Sequence, residues 1–188
     1  MMKVFGGLYK GRNLVAPKGS NTRPSSGLVR QALFNICQGA VEGARVLDLF
    51  AGSGAIGIEA LSREASFACF VEKEMMAKRS LEENLQKLDC ESSAMLYFGD
   101  VFTLLPVIEK KEEPFDLIFA DPPYLKEWKG KMLSQHVLEI ISSSKLLKKG
   151  GTLYIEEGKE ISFPETALIA SPPRKYGNTY LYCFRAPL

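Results

Sequence analysis

Residues 46–57 read Val46-Leu47-Asp48-Leu49-Phe50-Ala51-Gly52-Ser53-Gly54-Ala55-Ile56-Gly57, an apolar run followed by three closely spaced glycines. The apolar run predicts a buried strand over 46–50. The glycines, in G-x-G-x-x-G spacing, predict a tight turn into a helix that begins at Gly54. A strand, a glycine turn and a helix in this order are typical of α/β folds that bind a nucleotide-like cofactor at the carboxyl end of the first strand.

The rest of the chain continues this alternation of apolar strands and amphipathic helices. We predict strands over 46–50, 67–71, 94–98, 115–120, 152–156, 167–170 and 179–184, and helices over 54–63, 74–88, 102–109 and 134–144. Such a pattern predicts a doubly wound α/β fold with a mostly parallel seven-stranded sheet. The short late strands predict an antiparallel edge at its C-terminal side. We expect a single domain over 1–188, with its core in 41–188.

Residues 1–40 differ in kind, because glycines and prolines divide them into short segments. We predict a hairpin or an extended arm, followed by a docking helix capped by Ser25 or Ser26, with Val29, Leu33 and Ile36 on one face. Six basic residues and no acidic residue precede Glu42. A basic arm that stays available for a partner favours a phosphate-bearing ligand, although ordinary solvated side chains explain the charge equally well.

Composition excludes several classes of protein. The chain has 188 residues, of which 46% are hydrophobic, enough for one core, and no apolar run approaches the roughly 20 residues of a membrane span. We therefore expect a cytoplasmic protein without a membrane partner, and a monomer. The four cysteines are widely spaced and His136 is the only histidine. This argues against disulfides, metal sites and histidine-based catalysis.

Three acidic residues suggest which cofactor the glycine turn binds. Asp48 lies within the first strand and can face the cationic amino group of a methionine moiety, whereas a carboxylate there would not help to bind pyrophosphate. Glu72 ends the second strand and can bind ribose hydroxyls, although NAD enzymes use an acid in the same way. Asp100 can accept from an adenine amino group, with Val101 against the ring. Together they favour S-adenosylmethionine over NAD, bound by Asp48, Glu72, Asp100, Val101 and the turn residues Phe50, Ala51, Gly52, Ser53 and Gly54.

A second motif, Asp121-Pro122-Pro123-Tyr124, follows the strand predicted over 115–120. The prolines fix φ at about −65° and remove backbone donors. The Asp121 carboxylate and the Pro122 carbonyl can then both accept from one NH2 group, with Tyr124 stacked beside a flat substrate. This arrangement suits methylation of an amino nitrogen.

The two motifs together resemble class I S-adenosylmethionine-dependent amino-methyltransferases, which carry an acidic glycine-rich motif and a (D/N)PP(Y/F) motif. Further segments, over 21–35, 58–63 and 174–179, resemble the RsmD family and extend the likeness to nearly the whole chain. The pair Glu64-Ala65 departs from that pattern at a turn. The resemblance implies methylation of the exocyclic N2 amine of a guanine in bacterial 16S ribosomal RNA, within a small ribosomal subunit or an assembly intermediate. Asp121, Pro122, Pro123 and Tyr124 would then be catalytic.

Contacts with RNA phosphates are predicted for basic residues near both ends of the chain, together with one tyrosine: Arg12, Arg23, Arg30, Arg174 and Tyr176. A DNA adenine-N6 or cytosine-N4 methyltransferase shares both motifs and is the nearest alternative. A protein glutamine methyltransferase is a further alternative, but the motif of that group resembles NPPY, with asparagine where this chain has Asp121. An NAD-dependent oxidoreductase and an inactive RNA-binding module are the remaining alternatives.

Overall fold

A computed structural model of the chain describes residues 2–17, 24–124, 126–128 and 130–188. The strands are β1 Met2–Lys3, β2 Asn13–Leu14, β3 Arg45–Leu49, β4 Phe67–Glu72, β5 Ala94–Phe98, β6 Phe115–Ala120, β7 Glu127–Trp128, β8 Lys131–Met132, β9 Leu147–Glu157, β10 Ile169–Tyr176 and β11 Thr179–Arg185. Seven of them form a central sheet with the strand order β10-β11-β9-β6-β3-β4-β5. The helices are α1 Pro24–Cys37, α2 Ala55–Ser62, α3 Met75–Lys87, α4 Val101–Lys111 and α5 Leu133–Ser143.

The predicted fold class is confirmed, because β3, β4, β5, β6 and β9 are parallel neighbours. The antiparallel strand is β11, which lies between β9 and the edge strand β10. Strand β10 is longer than predicted and contains Pro172 and Pro173 at a register shift. An edge strand tolerates prolines, since its outer side has no ladder partner for the missing N–H groups. Strand β9 likewise begins before the predicted residue 152.

Close packing explains two of the three glycines of the first motif. A Cβ at Gly54 would lie 2.1 Å from a methyl of Leu81 on α3, and one at Gly57 would lie 2.2 Å from the ring of Phe70 on β4. Phe70 and Leu81 are fully buried. Helix α2 can therefore approach β4 and α3 this closely only with glycine at these positions.

The N-terminal residues form a small antiparallel hairpin of β1 and β2 that packs on α2 and α3. Ser62 on α2 accepts from the Leu8 N–H at 2.7 Å, through its backbone oxygen, and from the Tyr9 N–H at 2.8 Å, through its hydroxyl. Asn84 on α3 accepts from the Val15 N–H at 2.7 Å and donates to the Val15 carbonyl at 3.0 Å. The predicted hairpin is thus present and is bonded to α2 and α3, with Val4 and Leu14 buried and residues 10–13 exposed except where they bond to the core. Its availability for a partner stays a prediction.

Glu59, in the middle of α2, links three elements through a buried carboxylate. Its Oε2 accepts from the Phe5 N–H and its Oε1 from the Gly6 N–H, both at 2.8 Å. Arg63 donates to Oε1 through Nε at 3.0 Å, and Arg30 of α1 places its Nε 3.9 Å from Oε2. One acidic side chain thus holds the hairpin and α1 against α2.

In the part of the chain that the structure describes, no helix has the length and apolar character required to cross a membrane. Cys37, Cys69 and Cys90 are buried free thiols, and Cys183 is a half-buried one.

We expect Glu59→Ala to lower the free energy of unfolding by about 3 kcal/mol, because it leaves buried N–H groups and arginines without their acceptor. Urea denaturation measures this loss. Glu83→Ala, which removes an exposed acid from α3, is the matched control and should change stability by less than about 0.5 kcal/mol. Equal stability of the two variants would contradict the role assigned to Glu59.

Candidate active site

A cavity of about 220 Å³ lies at the carboxyl ends of β3, β6 and β9. It is lined by the glycine turn, by residues of α1 and by Asp48, Asp121 and Glu156. Three larger cavities, of about 250, 480 and 520 Å³, lie elsewhere and contain none of the predicted site residues. The smaller cavity is therefore the candidate active site, because it brings the two sequence motifs together.

The register of the sheet explains why these acids converge. Asp48 pairs with Phe119, and Ala120 pairs with Ile155. Asp121 directly follows Ala120, and Glu156 directly follows Ile155. The two strands are parallel neighbours, and neighbouring strands lie about 4.8 Å apart. Because side chains alternate along a strand, Asp48, Asp121 and Glu156 project from the same face of the sheet.

The turn after β3 is held in an unusual backbone conformation. Phe50, Gly52 and Gly54 have φ values of 62°, 57° and 79°. The Ala51 N–H donates to the Val71 carbonyl at 2.9 Å, which fixes the turn to β4. A Cβ at Gly52 would meet no protein atom within 4 Å, so the turn borders open space. This space fits a cofactor that approaches the backbone closely.

Asp48 is almost completely buried and accepts from the Gly57 N–H at 2.9 Å. Burial raises the pKa of its carboxyl to about 7, and the hydrogen bond from Gly57 offsets part of this effect. A buried acid of this kind favours a cationic ligand, whose charge would stabilise the ionised form. Asp48 therefore fits the predicted contact with a methionine amino group.

Glu72 has a structural role that the sequence analysis did not predict. Its Oε2 accepts from the Gly52 N–H at 2.6 Å, and its Oε1 accepts from the N–H groups of Lys73 and Glu74, each at 2.7 Å. Glu72 thus stabilises both the glycine turn and the end of β4. A carboxylate has about four lone-pair positions, so this role is compatible with the predicted bond to ribose hydroxyls.

Asp100 and Val101 do not line the 220 Å³ cavity. Asp100 caps α4 by accepting from the Phe102 N–H at 3.0 Å, and its other oxygen lies 3.6 Å from Nζ of Lys73. Val101 is buried in the main core. The predicted adenine contacts therefore remain predictions, at the ends of β4 and β5 rather than in the cavity itself.

The Asp121-Pro122-Pro123-Tyr124 motif follows β6 directly, as predicted. Asp121 and Tyr124 are half-buried and Pro122 is buried, whereas Pro123 is exposed. The Tyr124 hydroxyl donates to Oε1 of Glu156 at 2.5 Å and lies 3.3 Å from Oγ1 of Thr179. Burial, and then the bond to Glu156, raise the pKa of Tyr124, which keeps its hydroxyl a neutral donor.

Two further contacts of the motif were not predicted. The ring of Tyr124 packs on the backbone of Gly158, where a Cβ would lie 2.4 Å from it. Glu156, which the sequence analysis treated as the end of a strand, lines the cavity with Asp121. The sequence signal that could have identified Glu156 as a cavity residue was its position, as an acid at the carboxyl end of the strand next to β6.

The structure corrects the predicted role of Arg30 in binding RNA phosphates. The residue is only 6% exposed, and its Nη2 donates to the Lys3 carbonyl at 2.6 Å. Its guanidinium lies 4.6 Å from the centre of the Phe5 ring and near Glu59. Arg30 therefore fastens α1 to the hairpin and also lines the 220 Å³ cavity, so it is not the surface cation for RNA phosphates that the sequence predicted.

The other predicted RNA contacts occupy different environments. Arg12 is exposed and donates to the Lys87 carbonyl at 3.2 Å. Arg174 is exposed on β10, and Tyr176 is half-buried against the core. Thr179, which starts β11, contacts Tyr124, so the end of the segment 174–179 lies next to the Tyr124–Glu156 pair. Arg23 lies outside the described residues.

Known proteins match this chain along nearly all of its length. The family model described as Conserved hypothetical protein 95 matches residues 2–185. The chain belongs to this family. Ribosomal RNA small subunit methyltransferase D of Buchnera aphidicola is 31% identical over 159 residues, which cover 85% of this chain and 79% of that protein. A Bacillus subtilis protein provisionally named rRNA methyltransferase YlbH is 38% identical over 180 residues, 95% of each chain. The predicted membership of the RsmD family is confirmed.

Solved structures agree with this family assignment. A provisionally named methyltransferase of Escherichia coli, yhhF, has a TM-score of 0.83 at 27% identity and covers 98% of this chain and 97% of its own. An RNA methyltransferase from Salinibacter ruber in complex with S-adenosylhomocysteine has a TM-score of 0.64 at 14% identity, over 89% and 94% of the two chains, and so supports the fold alone. Fold and family are those of S-adenosylmethionine-dependent methyltransferases, which confirms the predicted cofactor.

Because the pKa of Asp48 is raised to about 7, we expect cofactor affinity to depend on pH. A bound ammonium group requires the ionised carboxylate, so S-adenosylhomocysteine should bind about fivefold more tightly at pH 7 than at pH 6. Isothermal titration calorimetry measures this ratio. The stability of the ligand-free protein should change with pH in the opposite direction. The contribution of Asp48 to the free energy of unfolding falls as pH rises from about 4 to about 7, because the folded state retains a proton that the unfolded state has lost.

The Asp48→Asn variant should bind S-adenosylhomocysteine more weakly, with equal affinity at pH 7 and pH 6. The Asp89→Asn variant, changed at an exposed position outside the cavity, should behave like the wild type. The same pH ratio in Asp48→Asn would assign the effect to another group.

Proposed function

We propose that this protein transfers a methyl group from S-adenosylmethionine to the exocyclic N2 amine of a guanine in bacterial 16S ribosomal RNA. The observation that carries the proposal is the shared cavity, in which the glycine turn and Asp48 lie beside Asp121 and Glu156, the acceptor of the Tyr124 hydroxyl. Cofactor-binding and amine-binding groups thus face one space. The names of the relatives support an RNA substrate, and the choice of guanine N2 rests on the resemblance to the RsmD family.

At the cofactor end, the chain's own groups bind and orient. Asp48 supplies a buried negative charge for the methionyl ammonium group, and the open backbone at Gly52 admits the cofactor closely. The bound cofactor supplies an electrophilic methyl group. Because that group is already reactive, the main tasks of the protein are to align the amine with it and to exclude water.

At the amine end, Asp121 and the Pro122 carbonyl accept from the N2 hydrogens and favour the pyramidal nitrogen whose lone pair can attack. S-adenosylmethionine held at Asp48 and the glycine turn would supply the methyl group to this nitrogen and would be left as S-adenosylhomocysteine. The proton that the nitrogen loses passes to the Asp121 carboxylate and from there to solvent. Tyr124, held by Glu156, Thr179 and Gly158, offers its ring as a stacking surface for a base turned out of its helix.

The direct test is methyl transfer from labelled S-adenosylmethionine to unmethylated small ribosomal subunits, naked ribosomal RNA and duplex DNA. Nucleoside digestion and mass spectrometry then identify the product. Label in N2-methylguanosine of the ribosomal substrate is the expected result. Label in DNA adenine or cytosine would overturn the substrate, and no label in any of the three would overturn the proposal as a whole.

We expect Asp121→Asn to reduce the rate of methyl transfer by about 100-fold, because its amide removes one of the acceptors that orient the amine. Calorimetry should show cofactor affinity within about threefold of the wild type, because Asp121 acts at the amine end of the cavity. Asp89→Asn is the matched control for loss of one carboxylate. Full activity in Asp121→Asn would contradict the assigned role.

We expect Arg174→Ala to weaken RNA binding and to lower the slope of log affinity against log salt by about 1, because it removes one phosphate contact. Filter binding over a range of salt concentrations measures the slope. Lys149→Ala provides the control, since Lys149 is exposed and borders a cavity apart from the active site. Equal slopes for the two variants would show that Arg174 does not contact an RNA phosphate.

A further inference from the structure

Two acids, not one, line the part of the cavity to which the proposed function assigns the target base. Ala120 and Ile155 are paired on adjacent parallel strands, and Asp121 and Glu156 are the next residues of each. Both line the 220 Å³ cavity. At the spacing of adjacent strands, about 4.8 Å, two carboxylates can contact neighbouring atoms of one planar base.

The orientation of Glu156 is fixed by its neighbours. The side chain is 9% exposed, and its Oε1 accepts from the Tyr124 hydroxyl at 2.5 Å. Tyr124 is itself held by Thr179 and by the backbone of Gly158. Because a carboxylate is an acceptor with about four lone-pair positions, the bond from Tyr124 orients Glu156 without exhausting its capacity to accept. Glu156 is thus a rigid acceptor beside Asp121.

The next residue along the strand shows that this orientation is particular to Glu156. Glu157 projects from the opposite face of the sheet and is 1% exposed. Its carboxylate accepts from the Ser134 hydroxyl of α5 at 2.7 Å. Of these two consecutive acids, one faces the cavity and the other fastens a helix.

Guanine has a pattern of donors that matches two adjacent acceptors. Its Watson–Crick edge presents the N2 amine next to the N1–H, both of which donate. At the equivalent ring position, adenine and cytosine present an unprotonated nitrogen, which accepts. A buried carboxylate that meets an acceptor loses a hydrogen bond and gains electrostatic repulsion, so such a site rejects the wrong base strongly.

We propose that Glu156 accepts a hydrogen bond from the guanine N1–H while Asp121 binds the N2 amine, and that Glu156 is thereby the residue that restricts the enzyme to guanine. This inference rests on the proposed function. Tyr124 acts as a positioning residue for Glu156 in addition to stacking on the base. The Tyr124–Glu156 bond then couples base specificity to the catalytic motif.

The test uses 2,6-diaminopurine, which retains the reactive 2-amine but presents N1 as an acceptor. Ribosomal RNA is prepared by splint ligation with guanine or 2,6-diaminopurine at the nucleotide that the wild type methylates. We expect the wild type to prefer guanine by about 100-fold in kcat/KM. Glu156→Gln, whose amide can donate to N1, should lower this preference by about tenfold or more, with a slower rate on guanine and a faster rate on 2,6-diaminopurine.

Three further measurements separate specificity from structural damage. Glu157→Gln is the matched control on the opposite face and should retain the wild-type preference, and Glu156→Asp should retain it at a lower rate. Thermal unfolding establishes that each variant is folded. A preference for guanine that is unchanged in folded Glu156→Gln, with both rates reduced equally, would reduce Glu156 to a support for Tyr124 and overturn this inference alone. Absence of N2-methylguanosine with the wild type would overturn the proposed function as well.

Discussion

The backbone N–H groups around the turn between β3 and α2 need acceptors, and buried carboxylates supply them. Asp48 accepts from Gly57, and Glu72 accepts from Gly52. Two residues after Gly57 on α2, Glu59 accepts from the hairpin. Because each carboxylate comes from a different element, the turn is the point at which strand, helix and hairpin are joined. The rigidity of the cavity wall follows from these bonds, since leaving such groups unpaired is costly.

The sheet then determines which side chains meet. Parallel strands bring their carboxyl ends to one edge, and alternation selects which residues face the cavity. Asp121 and Glu156 meet because Ala120 and Ile155 are in register. The antiparallel β11 adds a contact from the far end of the chain, since its first residue, Thr179, approaches Tyr124. A cofactor site and a site for a flat amine can thus share one cavity.

The sequence was sufficient where a signal is local. The glycine turn and the Asp121-Pro122-Pro123-Tyr124 motif follow their strands as predicted, because the glycines and prolines themselves determine the local backbone conformation. Prediction failed where the partner lies far along the chain. The sequence suggests a surface cation at Arg30, whereas the structure buries it against Lys3 and Glu59. It likewise suggests only a strand end at Glu156, whereas the structure shows that Glu156 accepts from Tyr124. The prolines of β10 hid the length of the predicted edge strand for a similar reason, because their tolerance depends on the absence of an outer neighbour.

The docking of the hairpin on α2 and α3 has a consequence for synthesis. Phe5, Gly6 and Val15 must wait for Glu59 and Asn84, which follow them by 54, 53 and 69 positions. At a translation rate of roughly 5–20 residues per second, the N–H groups of these residues have no such partner for about 3 to 14 seconds after their synthesis. During that time water satisfies these N–H groups, and the apolar side chains of the hairpin stay exposed. Val4 and Leu14 are therefore buried only after α3, which supplies Leu81 and Leu85 to their cluster, has been synthesised.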